Sequence, residues 1–304
     1  MSVDTRGIKL SFMGTDKIVT GKIGLVDAEL IRYLVEVRES DKRVLILIKD
    51  SIYSDILPKS HIEEFILSTS IVDGIIDKED LIENKIYDLE YDKRHETTFD
   101  EAHDYCIITL PEEYLKKYSE ERIKNGYFKI SNGQESCVIN PSKLISLKKL
   151  SHLYPRINDE TRIGLVSGSF DLIHLGHVRY IESARKLCDF LVVATMSTSS
   201  LQAQEKNTRG DRPIYNQIDR ITVLSALKSV DHVIVFYELD CKEIIKELRP
   251  HIFVKNIKDM NREIVKEECD LVESLGGEVH VTNDNIGYSS TDLIYYIRNG
   301  KKPT

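Results

Sequence analysis

From residue 163 onward, apolar runs of strand length alternate with stretches of helical period, and this order leaves few folds open. Ile163 to Phe170, Phe190 to Ala194, His232 to Phe236, Ile252 to Lys255 and Glu278 to Thr282 read as strands. Between them, His174 to Leu187, Ile218 to Leu227, Cys241 to Leu248 and Asn261 to Leu275 repeat apolar residues at amphipathic-helix spacing, and Thr291 to Arg298 closes the series. Short strands linked by helices build βαβ units, and right-handed crossovers put helices on both faces of a parallel sheet. The expectation is an α/β domain over residues 161–304.

Upstream, a looser copy of the same order stands out. Ile31-Arg32-Tyr33-Leu34 precedes Val44 to Ile48 much as Val178-Arg179-Tyr180-Ile181 precedes Phe190 to Ala194. Phe65 to Ser68 with Ile71 to Ile76 then echoes Val223 to Ala226 with Ser229 to Ile234. Echoes in the same order at similar spacing point to an internal duplication, with a second α/β domain over residues 1–140. Asn132-Gly133 between Tyr127 and Ile139 reads as a hairpin turn, because Asn-Gly supplies the positive φ angles a tight turn needs. Pro141 and Pro155 bracket a lysine-bearing stretch, read as a connecting helix and linker over 141–160.

A length of 304 residues accommodates two such domains. The net charge of −8 argues against nucleic acid as a partner. The polar N-terminus enters no long apolar segment and no apolar run reaches bilayer length, so neither a secretory leader nor a membrane span is expected. Five cysteines, scattered and without a CxxC pair, fit free thiols in a cytoplasmic protein.

The chemistry concentrates where the first strand of the second half meets its helix. Gly168-Ser169-Phe170-Asp171 forms a small-residue turn, and His174-Leu175-Gly176-His177 opens the helix. A helix mouth offers free N–H groups and the positive end of the dipole to an anion. Gly176 permits close approach of the backbone to a phosphate, and His174 and His177 are placed to donate hydrogen bonds to phosphoryl oxygens as charge develops. No third ligand at a telling spacing accompanies the histidines, so no metal site is expected there, and His95 and His103 read as isolated surface residues.

This stretch resembles the cytidylyltransferase-like nucleotidyltransferase superfamily, whose signature is a strand, a G-x-F-D turn and a His-x-Gly-His at the next helix. The likeness runs over about 162–301 and is greatest to the adenylyltransferase domain that makes ADP-heptose from a heptose 1-phosphate. Arg209 to Pro213 with Arg220, Leu224 to Leu227 with Val230-Asp231, Leu248-Arg249-Pro250 before Val254-Lys255, and Gly276 to Val279 carry it. The resemblance implies a Rossmann-like parallel sheet and catalysis by His174, His177, Lys206 and Arg220 on the phosphates. It assigns nucleotide binding to Gly168, Ser169, Phe170, Asp171 and Gly176, and to Ser289, Ser290 and Thr291 at the mouth of the last helix. It further implies Mg²⁺ as divalent cation, with a nucleoside triphosphate and a small phosphorylated molecule as substrates.

Two departures bear on the substrates. The cytidylyltransferases carry an arginine shortly before the serine-rich turn; Thr282 to Thr291 has none, which favours ATP over CTP. The heptose enzymes follow Val-Lys with Gly-Gly-Asp, whereas this chain continues Asn256-Ile257-Lys258-Asp259, leaving the acceptor open. A sugar 1-phosphate adenylyltransferase leads; a cytidylyltransferase acting on a polyol or amino-alcohol phosphate follows, and a catalytically silent nucleotide-binding or scaffold protein is the reading from another class. In the first half, neither Val19 to Lys22 nor Asp27 to Leu30, the two stretches that register with the motif, keeps a histidine pair. The tandem resembles the ethanolamine-phosphate cytidylyltransferases. Superfamily members usually pair, so a homo-oligomer or an intrachain pseudo-dimer is expected.

Overall fold

A computed structural model describes residues 17–23, 25–38, 44–75, 98–100, 105–109, 141–153, 161–204, 212–283 and 286–302. Among them, the first half gives β1 (Lys17–Ile23), α1 (Ala28–Val37), β2 (Val44–Ser51), α2 (Lys59–Leu67), β3 (Gly74–Ile75), β4 (Thr98–Asp100) and β5 (Tyr105–Thr109). A 3-10 turn (Pro141–Lys143) and α3 (Leu147–Leu153) follow. The second half runs β6 (Ile163–Gly168), α4 (Leu175–Arg185), β7 (Phe190–Met196), α5 (Thr198–Ala203), α6 (Gln217–Ala226), β8 (His232–Phe236) and α7 (Lys242–Leu248). It ends with β9 (Ile252–Asn256), a 3-10 turn (Ile257–Asp259), α8 (Glu263–Ser274), β10 (Glu278–Thr282) and α9 (Ser290–Asn299).

The second sheet has the order β10-β9-β6-β7-β8 and is parallel throughout. Its strands alternate sides: Val166, Val193 and Val254 face one apolar cluster, while Leu165, Val192 and Phe253 face another. This period of two serves a sheet buried on both faces. The first sheet has the order β3-β2-β1-β5-β4, with β1, β2, β3 and β5 parallel and β4 antiparallel to β5 at the edge. Read from its other edge, the second sheet runs β8-β7-β6-β9-β10, so the parallel strands of the two sheets follow the same order.

The two halves meet face to face. Helix α1 packs on α6, and α2 packs on α4. Val19, Leu34, Ile46 and Phe65 of the first half share one apolar cluster with Val166, Phe170, Ile181 and Leu224 of the second. Arg32 of α1 pairs with Asp219 of α6 at 2.7 Å, and Arg179 of α4 pairs with Glu64 of α2 through two bonds of 2.7 Å. These arginines occupy the same place in the two echoed tetrapeptides. Ser70 N–H donates to the Ala226 carbonyl (2.8 Å) and Lys228 N–H donates to the Ser68 carbonyl (2.9 Å), on either side of an antiparallel bridge between Thr69 and Leu227. Asp73 and Asp231 each accept a main-chain N–H at 2.8 Å, from Val44 in β2 and Leu191 in β7.

Several expectations shift. The strand from Ile163 ends at Gly168, because Phe170 takes the left-handed conformation with φ 45° and breaks the extended run. Helix α5 has no counterpart in the periodicity reading, and a 3-10 turn precedes the helix expected from Asn261. The stretch read as connecting helix and linker packs on the second sheet: Leu150 is buried, and Ile145 N–H donates to the Val233 carbonyl at 3.0 Å. Residues 17–23 form a strand, so Asp27 to Leu30 stands at the mouth of α1. Cys188, Cys241 and Cys269 are buried free thiols. The hairpin at 127–139, His95, His103 and Lys206 lie outside the described residues.

Candidate active site

The turn after β6 is held from below. Phe170, a non-glycine residue with positive φ, stores backbone strain that its surroundings must over-determine. Arg220 Nη1 donates to the Ser169 carbonyl (2.8 Å) and to Thr195 Oγ1 (2.7 Å), and Thr195 Oγ1 donates to the same carbonyl (3.2 Å). Asp171 Oδ1 accepts the main-chain N–H groups of Ile214 and Tyr215 at 2.8 and 3.0 Å. Burial raises the Asp171 carboxyl above the usual range, opposed by those two N–H groups and by Arg212 and Arg220. The Phe170 ring, 2% exposed, meets His177 edge-on with centroids 5.7 Å apart. Gly168 leaves room for it: a Cβ there would lie 3.2 Å from Phe170 Cε2.

At the mouth of α4 the histidines cap their own helix. His174 is the N-cap, and its Nδ1 accepts the Gly176 N–H at 3.1 Å. His177 Nδ1 accepts the His174 N–H at 3.3 Å. Each Nδ1 is therefore occupied as an acceptor, which fixes both neutral rings as Nε2–H tautomers and leaves each Nε2–H as the donor for a ligand. The rings lie 4.1 Å apart. Burial, with lesser contributions from His177 and Lys258, lowers the His174 pKa from 6.5 to about 2. Burial lowers His177 to about 4, with Asp259 opposing it and Lys258 reinforcing it. Both imidazoles are neutral donors at pH 7.

Two expected results follow from this cap. Protonating Nδ1 would set an N–H against the N–H it now accepts and undo the cap. The acid limb of kcat/KM should therefore fall near the His177 value of about 4. A pH–rate series showing an acid limb near the free-imidazole value of about 6.5 would contradict the capped geometry. Second, a Cβ on Gly176 would lie 2.9 Å from His174 Cε1 and 3.0 Å from its Nδ1. Gly176→Ala, favourable by helix propensity alone, should displace the His174 ring and lower kcat on the order of 100-fold. Steady-state kinetics beside a thermal melt would separate that loss from unfolding.

The remaining candidates divide. Ser289 caps α9: its Oγ accepts the Asp292 N–H (3.3 Å), while its own N–H and Oγ donate to Asp292 Oδ2 (2.7 and 2.8 Å). Ser290 Oγ donates to the Leu172 carbonyl (2.8 Å), fastening α9 to the residue that follows the Gly168–Asp171 turn, and Thr291 Oγ1 accepts from Arg212 at 3.4 Å. Arg220 is 1% exposed and its Nε donates to the Tyr215 carbonyl (3.2 Å), so in this arrangement it grips the turn and does not reach into the open site. Three residues not assigned from sequence adjoin the pair. Lys258 and Asp259 follow β9 close enough to act electrostatically on the histidines. The Tyr288 ring lies edge-on to His174 at 5.6 Å. Lys258 was legible only as part of the departure after Val254-Lys255, and Tyr288 only as a neighbour of the serines.

A parallel sheet, a G-x-F-D turn and a histidine-capped helix at the carboxyl ends of its strands define a nucleotidyltransferase domain of the cytidylyltransferase-like superfamily. Residues 165–295 match the family model described as cytidylyltransferase-like. The chain is 34% identical over 157 residues to the bifunctional protein HldE of Helicobacter pylori, covering 51% of this chain and 31% of that protein. It is 40% identical over 141 residues to the bifunctional protein HldE of Hyphomonas neptunium, covering 46% of this chain and 28% of that one. The chain thus matches about a third or less of the length of these curated relatives. Among solved structures, a lipopolysaccharide core biosynthesis protein from Thermoplasma volcanium is 28% identical, with 40% of this chain and 95% of that one covered and a TM-score of 0.33. Among the described residues, no helix is long and apolar enough to cross a membrane.

Proposed function

We propose that the second half transfers a nucleoside monophosphate from a nucleoside triphosphate, ATP in preference to CTP, to a small phosphorylated acceptor such as a sugar 1-phosphate. The observation that carries this reading is the pair of Nε2–H donors fixed by the cap of α4. An acceptor phosphate oxygen attacks the α-phosphorus in line; the bond from that phosphorus to the β-bridging oxygen breaks, and pyrophosphate leaves with the electron pair. His174 and His177 donate to the oxygens on which charge grows, and positioning supplies most of the rate. Lys258 adds positive charge beside them, and Lys206 is assigned the same task by the family resemblance. Arg220 acts here as a positioning residue beneath the turn. The family resemblance also implies Mg²⁺, which would neutralise charge on the triphosphate and its pyrophosphate leaving group.

The first half is a degenerate copy that fills the place of a second subunit. Two observations support this: the shared order of parallel strands, and Asp27 standing where the other half has His174. Asp27 Oδ1 caps α1 by accepting the Leu30 N–H (3.1 Å), and its Oδ2 accepts from the Tyr215 hydroxyl (3.1 Å). A buried carboxylate at a helix mouth repels phosphate, so that site is closed to the chemistry. Residues 151–304 expressed alone should lose stability by exposing the apolar faces of α4 and α6; a stable, monomeric, fully active fragment would overturn the subunit role. Two same-order sheets in one chain also favour a second reading, a cytidylyltransferase acting on a polyol or amino-alcohol phosphate. Pyrophosphate release, measured with each triphosphate against a panel of sugar and polyol phosphates, decides between the two. No release despite tight nucleotide binding would leave the silent-scaffold reading.

A further inference from the structure

The wall beside His174 has a support that comes from the first half. A cap hydrogen bond on Nδ1 holds one edge of the His174 ring but leaves its plane free to rock about that bond. The rings of His177 and Tyr288 pack against it and limit that motion, with centroids 4.1 and 5.6 Å away. Tyr288 can do so only if its own ring is anchored. Its hydroxyl lies 3.2 Å from His61 Nδ1, across 227 residues of sequence, and the His61 and Tyr288 rings are 5.7 Å apart. His61 sits on α2, and one turn along the same helix Glu64 takes the two hydrogen bonds from Arg179 of α4. Helix α2 is thereby fixed to the helix whose mouth carries the histidine pair.

The groups at this junction are neutral where they meet. Burial holds the Tyr288 phenol above its usual range, so it keeps its proton. Burial and then Arg179 hold His61 below 6.5, against the pull of Glu64. A protonated phenol facing an uncharged ring makes a bond without desolvating a charge.

The geometry points to His61 as a positioning residue of the transfer site: through Tyr288, the catalytically silent half sets the plane of the His174 ring. This rests on the reading of His174 as a phosphate donor.

The test uses the full chain. His61→Phe and Tyr288→Phe each delete the hydrogen bond while keeping a ring in place. Each should lower kcat about tenfold, with the KM for the acceptor unchanged, since a misplaced donor weakens the transition state more than ground-state binding. His61→Gln, whose amide can still meet the phenol, should recover most of the loss. The double variant should be no worse than either single one, because both remove the same contact. In histidine-labelled protein the imidazole resonances of His174 should move in the same way for both single variants. Unchanged kcat together with unmoved His174 resonances would overturn the inference, as would losses that simply add. If no triphosphate–acceptor pair turns over while the His174 resonances still shift in both variants, the positioning contact stands and the transfer reading falls.

Discussion

Turnover of His177→Ala is expected to fall about 100- to 1000-fold, the loss typical of deleting one preorganised donor to a developing oxyanion. Two effects act together in this variant. The Nε2–H of His177 disappears from the site, and the His174 N–H loses the acceptor that closes the cap, 3.3 Å away. The apolar core beneath the helix mouth keeps Val178 and Ile181. Stability should therefore change little while kcat collapses. Kinetics with the best triphosphate–acceptor pair, read beside a thermal melt, would check this. An unchanged rate would remove His177 from the mechanism.

Arg220→Met should lower stability by about 3–5 kcal/mol, the range for breaking a buried ionic network by removing one partner. Arg220 is 1% exposed and feels the charge of Asp171 and Asp219, which are 5% and 1% exposed. Burial lowers its pKa to about 10, against the pull of those two carboxylates, so it remains charged at pH 7. Methionine keeps much of the volume but leaves Asp171 without that compensating charge and the Ser169 carbonyl without its 2.8 Å bond. The strained φ of Phe170 then loses part of what holds it, and activity should fall as well. Urea unfolding would measure the change; a loss below about 1 kcal/mol would mean that the turn is held from elsewhere.

Periodicity located the elements of the second half because its inner strands β6, β7 and β9 are mostly buried on both faces and most of its helices carry one apolar stripe. Strands β8 and β10 have the expected bounds, and α6 is displaced by a single residue. Periodicity fails where a helix has no solvent face. From Asp219 to Ala226 every residue of α6 is buried, since its own sheet covers one side and α1 the other. The spacing that puts Arg220 on a helix therefore says nothing about which way it points. The motif Gly168 to Asp171 and His174 to His177 was legible as a turn leading into a helix mouth. Its use of both Nδ1 atoms to cap the helix was not, because a residue type carries no tautomer. His61 escaped altogether: a contact across 227 residues leaves no local trace.

The junction at Thr69 and Leu227 is made of peptide groups, with Ser70 and Lys228 donating across it in opposite directions. Any residue except proline supplies those groups, so drift in side chains does not unfasten the halves. Such a hinge-free seam lets selection treat the two sides as separate genes. One side can carry Asp27 at its helix mouth while the other keeps His174 and His177, and neither loses its neighbour.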